Sequence, residues 1–257
     1  MIQHKDLAPE RQERLRDIVR ETGIARVDEL CERLGVSPAT VRRDLEALET
    51  QGRIRRVHGG ALSIESRLDE PLFDDKAEMA SKQKRAIAEE AAALVQPGDT
   101  VYLDGGSTVL ELARLLRTRS DITLVTNSLR ATIELSGSGP EVILIGGELR
   151  RRSQTMVGSL TRLILSQIHL DKAFMGTIGL TAKEGTTTTD PNEAFTKELV
   201  MKQATEVILL SDSSKAGKVS FATTGTLEDI DRLITDDGLD PKLKTALSTK
   251  GIDIILT

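Results

Sequence analysis

The sequence predicts an α/β protein in two parts: a small N-terminal helical unit closed by a β-hairpin, then a larger parallel α/β sheet. Three observations predict it. Two short helices with apolar faces meet across a Gly35-Val36-Ser37-Pro38 turn. An arginine-rich segment, 53–57, then runs into Gly59-Gly60. From residue 81 onward, short apolar runs alternate with amphipathic stretches of helical period, the pattern of a parallel sheet covered on both faces.

In the first part, Leu15, Ile18 and Val19 give an opening helix its apolar face. Val27, Leu30, Cys31 and Leu34 fall at i, i+3, i+4 and i+7 and make the face of the second. Gly35 stops that helix, and Ser37 with Pro38 supplies the N-cap and first-position proline that start a third at once. Val41, Leu45 and Leu48 are the buried stripe of this third helix, which turns Ala39, Thr40, Arg42 and Arg43 outward near its start. Two short helices across a tight turn, the second presenting small polar residues and arginines, form a helix-turn-helix with its recognition helix, the element that enters a major groove. A helical hairpin with a solvated basic patch is the plainer alternative. Arg53, Arg55 and Arg56 sit on the following hairpin, and with His58 at its end they make the module winged. The candidate DNA-contacting residues are Ser37, Ala39, Thr40, Arg42, Arg43, Arg53, Arg55, Arg56 and His58.

Residues 10–61 closely resemble the N-terminal signature of the DeoR/GlpR family of bacterial transcription regulators. The Val-Ser-Pro-Ala-Thr-Val-Arg-Arg-Asp-Leu run at 36–45 and the His-Gly-Gly-Ala ending at 58–61 carry the likeness. It implies double-stranded operator DNA as partner, and recognition of a duplex asks for at least two copies of the chain, a homodimer or homotetramer.

Composition agrees with a divided task. The 257 residues are 39% hydrophobic and 29% charged, with no apolar run long enough to span a bilayer and no apolar leader at the N-terminus. Neither a membrane nor a secreted protein is expected, and the one cysteine, Cys31, excludes an intramolecular disulfide and fits a reducing cytoplasm. Cys31 reads as core. The net charge of −5 divides unevenly: residues 1–61 hold 12 Lys and Arg against 11 acids, and the remainder 23 against 29. The arginines of the first part therefore act by position rather than by bulk field.

Residues 62–78, with Pro71 and mixed charge, read as a linker between a DNA-binding domain at 1–61 and a second domain at 79–257. In that domain strands are expected at 101–103, 122–125, 142–145, 173–175, 206–210, 232–235 and 252–256. Helices are expected at 81–95, 109–116, 129–135, 160–167, 193–204 and 241–248. Ligands of such sheets bind outside the carboxyl ends of strands. There the chain carries Asp104-Gly105-Gly106-Ser107-Thr108, Thr126-Asn127-Ser128, Gly146-Gly147, Gly176-Thr177-Ile178-Gly179 and Ser211-Asp212-Ser213-Ser214-Lys215. Glycines, hydroxyls and one lysine at successive strand ends point to a phosphorylated polar ligand. In that reading Lys215 meets the phosphate, Asp104 holds hydroxyls, and Ser107 and Thr108 complete the cradle. Neither a Gly-x-x-x-x-Gly-Lys nor a Gly-x-Gly-x-x-Gly nucleotide loop is present, and His4, His58 and His169 are too scattered for a metal site. No metal and no cofactor is expected.

Residues 75–255 are similar to the sugar-phosphate-sensing half of the same family, which implies a ribose-5-phosphate isomerase/CoA-transferase-like fold and an effector pocket. The matching pieces imply effector-binding roles for Asp104, Gly105, Gly106, Ser107, Thr108, Thr126, Asn127, Gly146, Gly147, Glu193, Lys197 and Lys215. Gly106 departs from the Gly-Thr-Thr or Gly-Ser-Thr that often follows the aspartate in that family. Arg150-Arg151-Arg152 reads equally as an anion ligand and as a solvated loop. The expectation is a transcriptional regulator, a repressor of carbohydrate-metabolism genes, whose DNA affinity answers to a phosphorylated sugar or related metabolite and which is not an enzyme. The competing readings are a sugar-phosphate isomerase with a DNA-binding appendage, using Asp104, Glu193 and Lys215, and an architectural DNA binder without effector.

Overall fold

The computed structural model describes residues 8–22, 24–51, 53–57, 59–63, 70–137 and 139–257, which divide into two compact units, Met1–Asp69 and Glu70–Thr257. In the first, helices α1 (Ala8–Thr22), α2 (Val27–Leu34) and α3 (Pro38–Thr50) enclose Leu15, Val19, Leu30, Val41, Leu45 and Leu48. Gly35 ends α2 in the left-handed region at φ 65°, where a side chain would be strained. The Ser37 hydroxyl then accepts the Thr40 amide at 3.3 Å and starts α3.

The wing has three strands, one more than the sequence suggested. A short β1 (Ile24–Arg26) joins the hairpin of β2 (Ile54–Val57) and β3 (Gly60–Ser63) in the order β1-β3-β2. A Cβ on Gly60 would stand 2.2 Å from the carbonyl oxygen of Ala25, so the glycine is what lets β1 close on β3.

The second unit is built on a sheet of seven parallel strands. They are β4 (Thr100–Leu103), β5 (Thr123–Thr126), β6 (Glu141–Leu144), β9 (Leu170–Met175), β12 (Ala204–Leu210), β14 (Arg232–Thr235) and β15 (Asp253–Leu256). Seven strands were expected, and seven stand in this sheet. Smaller antiparallel pieces are additions: β7 (Glu148–Arg150) with β8 (Thr155–Val157), and β10 (Gly179–Thr181) with β11 (Gly185–Thr188) and β13 (Ala222–Gly225).

Side chains alternate across the sheet. Val101 and Leu103 face a core shared with α5 (Ser81–Ala93), α6 (Ser107–Leu116) and α7 (Leu129–Leu135). Tyr102 faces the opposite core, with α8 (Arg162–Leu165), α9 (Pro191–Gln203) and α10 (Pro241–Thr249). Helix 160–167 is shorter than expected: a 3-10 turn, Ser159–Thr161, precedes α8 and leaves Leu160 and Leu163 exposed.

The stretch expected as a linker carries structure at both ends. Its first residues belong to β3, and its last form α4 (Phe73–Glu78), whose Phe73 is buried in the core against the sheet. One aromatic anchor outweighs the charged surroundings that made this segment look solvated. Residues 64–69 lie outside the described residues.

The order in which strands are added reverses between β4 and β9. In the order β15-β14-β12-β9-β4-β5-β6, the chain adds β5 and β6 on one side of β4 and then β9, β12, β14 and β15 on the other, every strand staying parallel. Such a reversal opens a crevice at the strands' carboxyl ends, and that crevice is where a ligand fits.

Candidate functional site

In the first unit, the exposed surface at the start of α3 holds Ser37, Ala39, Arg42 and Arg43, with Thr40 half-buried and its hydroxyl 3.0 Å from that of Ser37. Asp44, the next residue, turns inward and is buried. Its carboxylate accepts two bonds from Arg11, at 2.6 and 3.1 Å, and one from Gln12 at 3.2 Å, which sets α3 against α1. The wing arginines divide. Arg53 is half-buried and ion-paired to Glu13 of α1 at 2.6 Å, which ties the root of the wing to the helical core. Arg56 is exposed, its amide donating to Glu49 at 2.9 Å. The side chain of Arg55, and His58 altogether, lie outside the described residues. Cys31 packs against this core, and its thiol pKa is raised by burial and by Asp28.

In the second unit, a pocket opens at the reversal of the strand order. Gly105, Gly106, Ser107 and Thr108 enter it after β4, Gly176, Thr177 and Ile178 after β9, and Ser211, Asp212 and Lys215 after β12. Gly106 precedes α6 and no side chain caps that helix, so its first amides point their positive end at the pocket. Lys215 is held by a stiff loop. The Asp212 carboxylate accepts the Ser214 amide at 3.1 Å, and Asp236 accepts both the amide and the hydroxyl of Ser213 at 2.6 Å.

Three charged lining residues come from the expected linker and the helix after it: Glu70, Lys76 and Lys84. Lys84 is buried on α5, and its ammonium donates to the carbonyls of Lys76 and Met79. Burial lowers its pKa, Asp212 offsets part of that, and Lys215 and Lys76 add to it. Lys215 is lowered in the same way, by burial first and then by Lys218 and Lys76. A signal for Lys84 was present, since it falls on the same helical stripe as Ile87, Ala88 and Ala91. A lysine on a buried stripe calls for a partner.

The acidic residues are engaged with cations. Asp104, at the end of β4, is buried, accepts the Gly176 amide at 2.9 Å and pairs with Lys197. Lys197 also donates to the Gly176 carbonyl at 2.9 Å and lies 3.9 Å from Glu193. Burial alone would lower the Lys197 pKa, but Asp104 and Glu193 outweigh it and raise it. Glu193 is raised by its burial, despite Lys197 and Arg150. Arg150 is no solvated residue: it is half-buried and reaches Glu70 at 2.6 Å, Glu193 at 3.0 Å and Asp190 at 3.4 Å.

Some expected effector ligands stand elsewhere. Asp104 is buried beneath the pocket rather than on its wall, because Lys197 and the Gly176 amide claim its carboxylate. The Thr126 hydroxyl donates to the Leu103 carbonyl at 2.6 Å, and the Asn127 amide to the Met156 carbonyl at 2.9 Å. Gly146 and Gly147 are not on the pocket wall either; a Cβ on Gly147 would come within 2.9 Å of the Val157 carbonyl oxygen. These residues build the turns after β5 and β6. Gly105, Gly106, Ser107, Thr108, Glu193, Lys197 and Lys215 do line the pocket. Among the described residues there is no cluster of His, Cys, Asp or Glu suited to a metal, and no helix long and apolar enough to cross a membrane.

Comparison with known proteins places both units. Residues 11–67 match the DeoR-like helix-turn-helix domain, and residues 79–237 match the DeoR C terminal sensor domain. The chain is 38% identical over 249 residues to the HTH-type transcriptional regulator GlpR of Haloferax volcanii, covering 97% of this chain and 98% of that one. It is 37% identical over 239 residues to the lactose phosphotransferase system repressor of Streptococcus mutans, covering 91% of this chain and 94% of that one. Among solved structures, ribose 5-phosphate isomerase A of Methanocaldococcus jannaschii aligns over 54% of this chain and 55% of its own, with a TM-score of 0.41 and 20% identity. An arginine-bearing recognition helix, a wing, and a sheet with a polar crevice at its reversal thus stand in one chain with the sequence of both family domains, and the protein belongs to the DeoR family of DNA-binding transcriptional regulators.

Proposed function

We propose that this regulator is a repressor of carbohydrate-metabolism genes whose operator affinity is controlled by a phosphorylated sugar bound in the pocket of the second unit. The observation that carries the reading is Lys84 and Lys215: both line the crevice, and neither has a carboxylate partner within ion-pair distance among the described residues. One buried and one half-buried cation beside an uncapped helix N-terminus match the charge of a phosphate dianion. Ser107 and Thr108 complete the cradle, and Glu193 and Thr177 lie on the wall within the same crevice to accept sugar hydroxyls. The repressor role and the sugar connection are also supported by the name of the Streptococcus mutans relative. A two-fold operator asks for at least two copies of the chain, a homodimer or homotetramer.

On the DNA side, Ser37, Ala39, Thr40, Arg42 and Arg43 read the groove and Arg55, Arg56 and His58 contact phosphate. Arg53 serves the root of the wing through Glu13. The isomerase reading has little to work with, since Asp104 and Glu193 are engaged by Lys197 and Arg150 and leave no free base over a sugar carbon.

The test is a panel of sugar phosphates incubated with the purified protein and followed by thermal shift and by product assay, with the parent sugars as controls. A phosphorylated member should raise the melting temperature, undergo no turnover and change the mobility of promoter DNA bound to the protein. Isomerisation of any member, or stabilisation by parent sugars alone, would overturn the reading.

A further inference from the structure

We propose that Glu70 is a latch: its buried carboxylate is the internal counter-ion of the pocket's cations, and an effector phosphate takes over those cations and releases the strap that Glu70 begins. The inference rests on the pocket reading above.

Glu70 is the first residue of the second unit and stands next in sequence to the segment that leads from the DNA-binding unit. It is 1% exposed, yet it lines the pocket. One carboxylate oxygen is 2.5 Å from the Lys76 ammonium, and the other is 2.6 Å from Arg150 and accepts the Thr189 hydroxyl at 3.0 Å. Arg152 donates to its carbonyl. A surface strap has no need of a carboxylate buried this deeply, because removing it from water is costly and several partners are spent on holding it.

The partners belong to the ligand site as well. Lys76 lies on the same wall as Lys84 and Lys215, and Lys84 is bonded to the Lys76 carbonyl. A dianion drawn to Lys84 and Lys215 meets the Glu70 carboxylate as a like charge in a site of low dielectric, and Lys76, which pairs with Glu70, lines the same pocket. Arg150 is shared in turn between Glu70 and Glu193, which also lines the pocket. A hydroxyl bonded to Glu193 loosens the second hold while the phosphate loosens the first. Lys76 and Arg150 together overcome the effect of burial and keep the Glu70 pKa below the ordinary glutamate value, so the competitor stays charged.

Coupling of this kind predicts that removing the Glu70 charge both improves anion binding and frees the strap. The test uses inorganic phosphate as the probe, calorimetric titration for affinity, and hydrogen exchange of the amides of residues 70–79 for strap release. In the wild type, phosphate should bind, binding should be lost in Lys215→Met, and the strap amides should exchange faster when phosphate is added. Glu70→Gln should bind phosphate roughly five- to tenfold tighter, as removal of one nearby like charge implies. Its strap should exchange fast with or without phosphate. Glu70→Ala, which also removes the charge, should move both readouts the same way and serves if the glutamine variant does not fold. Phosphate binding that needs Lys215 but is no tighter in the Glu70 variants, or strap exchange that ignores phosphate in the wild type, overturns the latch alone. A wild type that binds no phosphate, or binds it equally in Lys215→Met, overturns the pocket reading and the latch with it.

Discussion

Asp44 and Arg11 join α3 to α1 through two bonds of 2.6 and 3.1 Å, with the Asp44 side chain buried and that of Arg11 only 15% exposed. The residue that follows two outward arginines thus sets the angle at which they are presented. Asp44→Ala leaves the Arg11 charge without its buried partner and should destabilise the first unit by about 2–4 kcal/mol, toward the lower part of the range for breaking a buried pair because Arg11 keeps some solvent. The second unit should melt as before, so calorimetry should show one transition moved and one unmoved.

Arg42 and Arg43 are both exposed at the start of α3. Alanine at a base-reading position should cost about 1–3 kcal/mol of operator affinity and relax selectivity at one base pair; alanine at a phosphate contact should weaken all sequences alike and flatten the salt dependence. Affinity measured at several salt concentrations on matched and scrambled DNA separates the two. Wild-type binding by both variants would remove this surface from the interface.

Asp104 and Lys197 are each buried and paired, so neither tolerates the loss of the other. Asp104→Asn should destabilise the second unit by about 3–5 kcal/mol, and adding Lys197→Met should recover part of that by removing the stranded charge. Thermal melts of the single and double variants check it. A double variant no more stable than the single would show that the pair is not the source of the cost.

Lys84 and Lys215 both have pKa values lowered by burial, and an anion seated between them favours their protonated forms. The affinity for phosphate should therefore hold at neutral pH and fall as pH rises through the lowered values, which lie below that of an ordinary lysine. Titration in buffers of different ionisation heat should show proton uptake on binding in that alkaline range. Lys84→Met should lose most of the affinity and keep only the part of the pH dependence that Lys215 carries.

Much of this protein is legible in one sequence because it is written locally. Gly35, Ser37 and Pro38 fix the turn between α2 and α3 through backbone geometry and capping that need no distant partner. The seven parallel strands are short apolar runs between helices, and their number follows from period and length alone. Loops at strand ends announced a pocket because βα turns place glycines and hydroxyls there whatever the order of the strands.

Strand order, and with it the choice among those loops, belongs to the tertiary structure. The strand order reverses between β4 and β9, so the loops after β4, β9 and β12 share one crevice while Thr126-Asn127 and Gly146-Gly147 build turns farther along the sheet. Burial decided the rest. Glu70 and Lys76 sit in a segment whose mixed charge and Pro71 read as solvated linker, and only the docking of Phe73 into the core carries them to the pocket wall. Asp104 and Lys197 are far apart in sequence, and whether a carboxylate meets a ligand or a lysine is settled by which charge folding brings within reach. Local chemistry set the elements; the long-range pairing of buried charges set their roles.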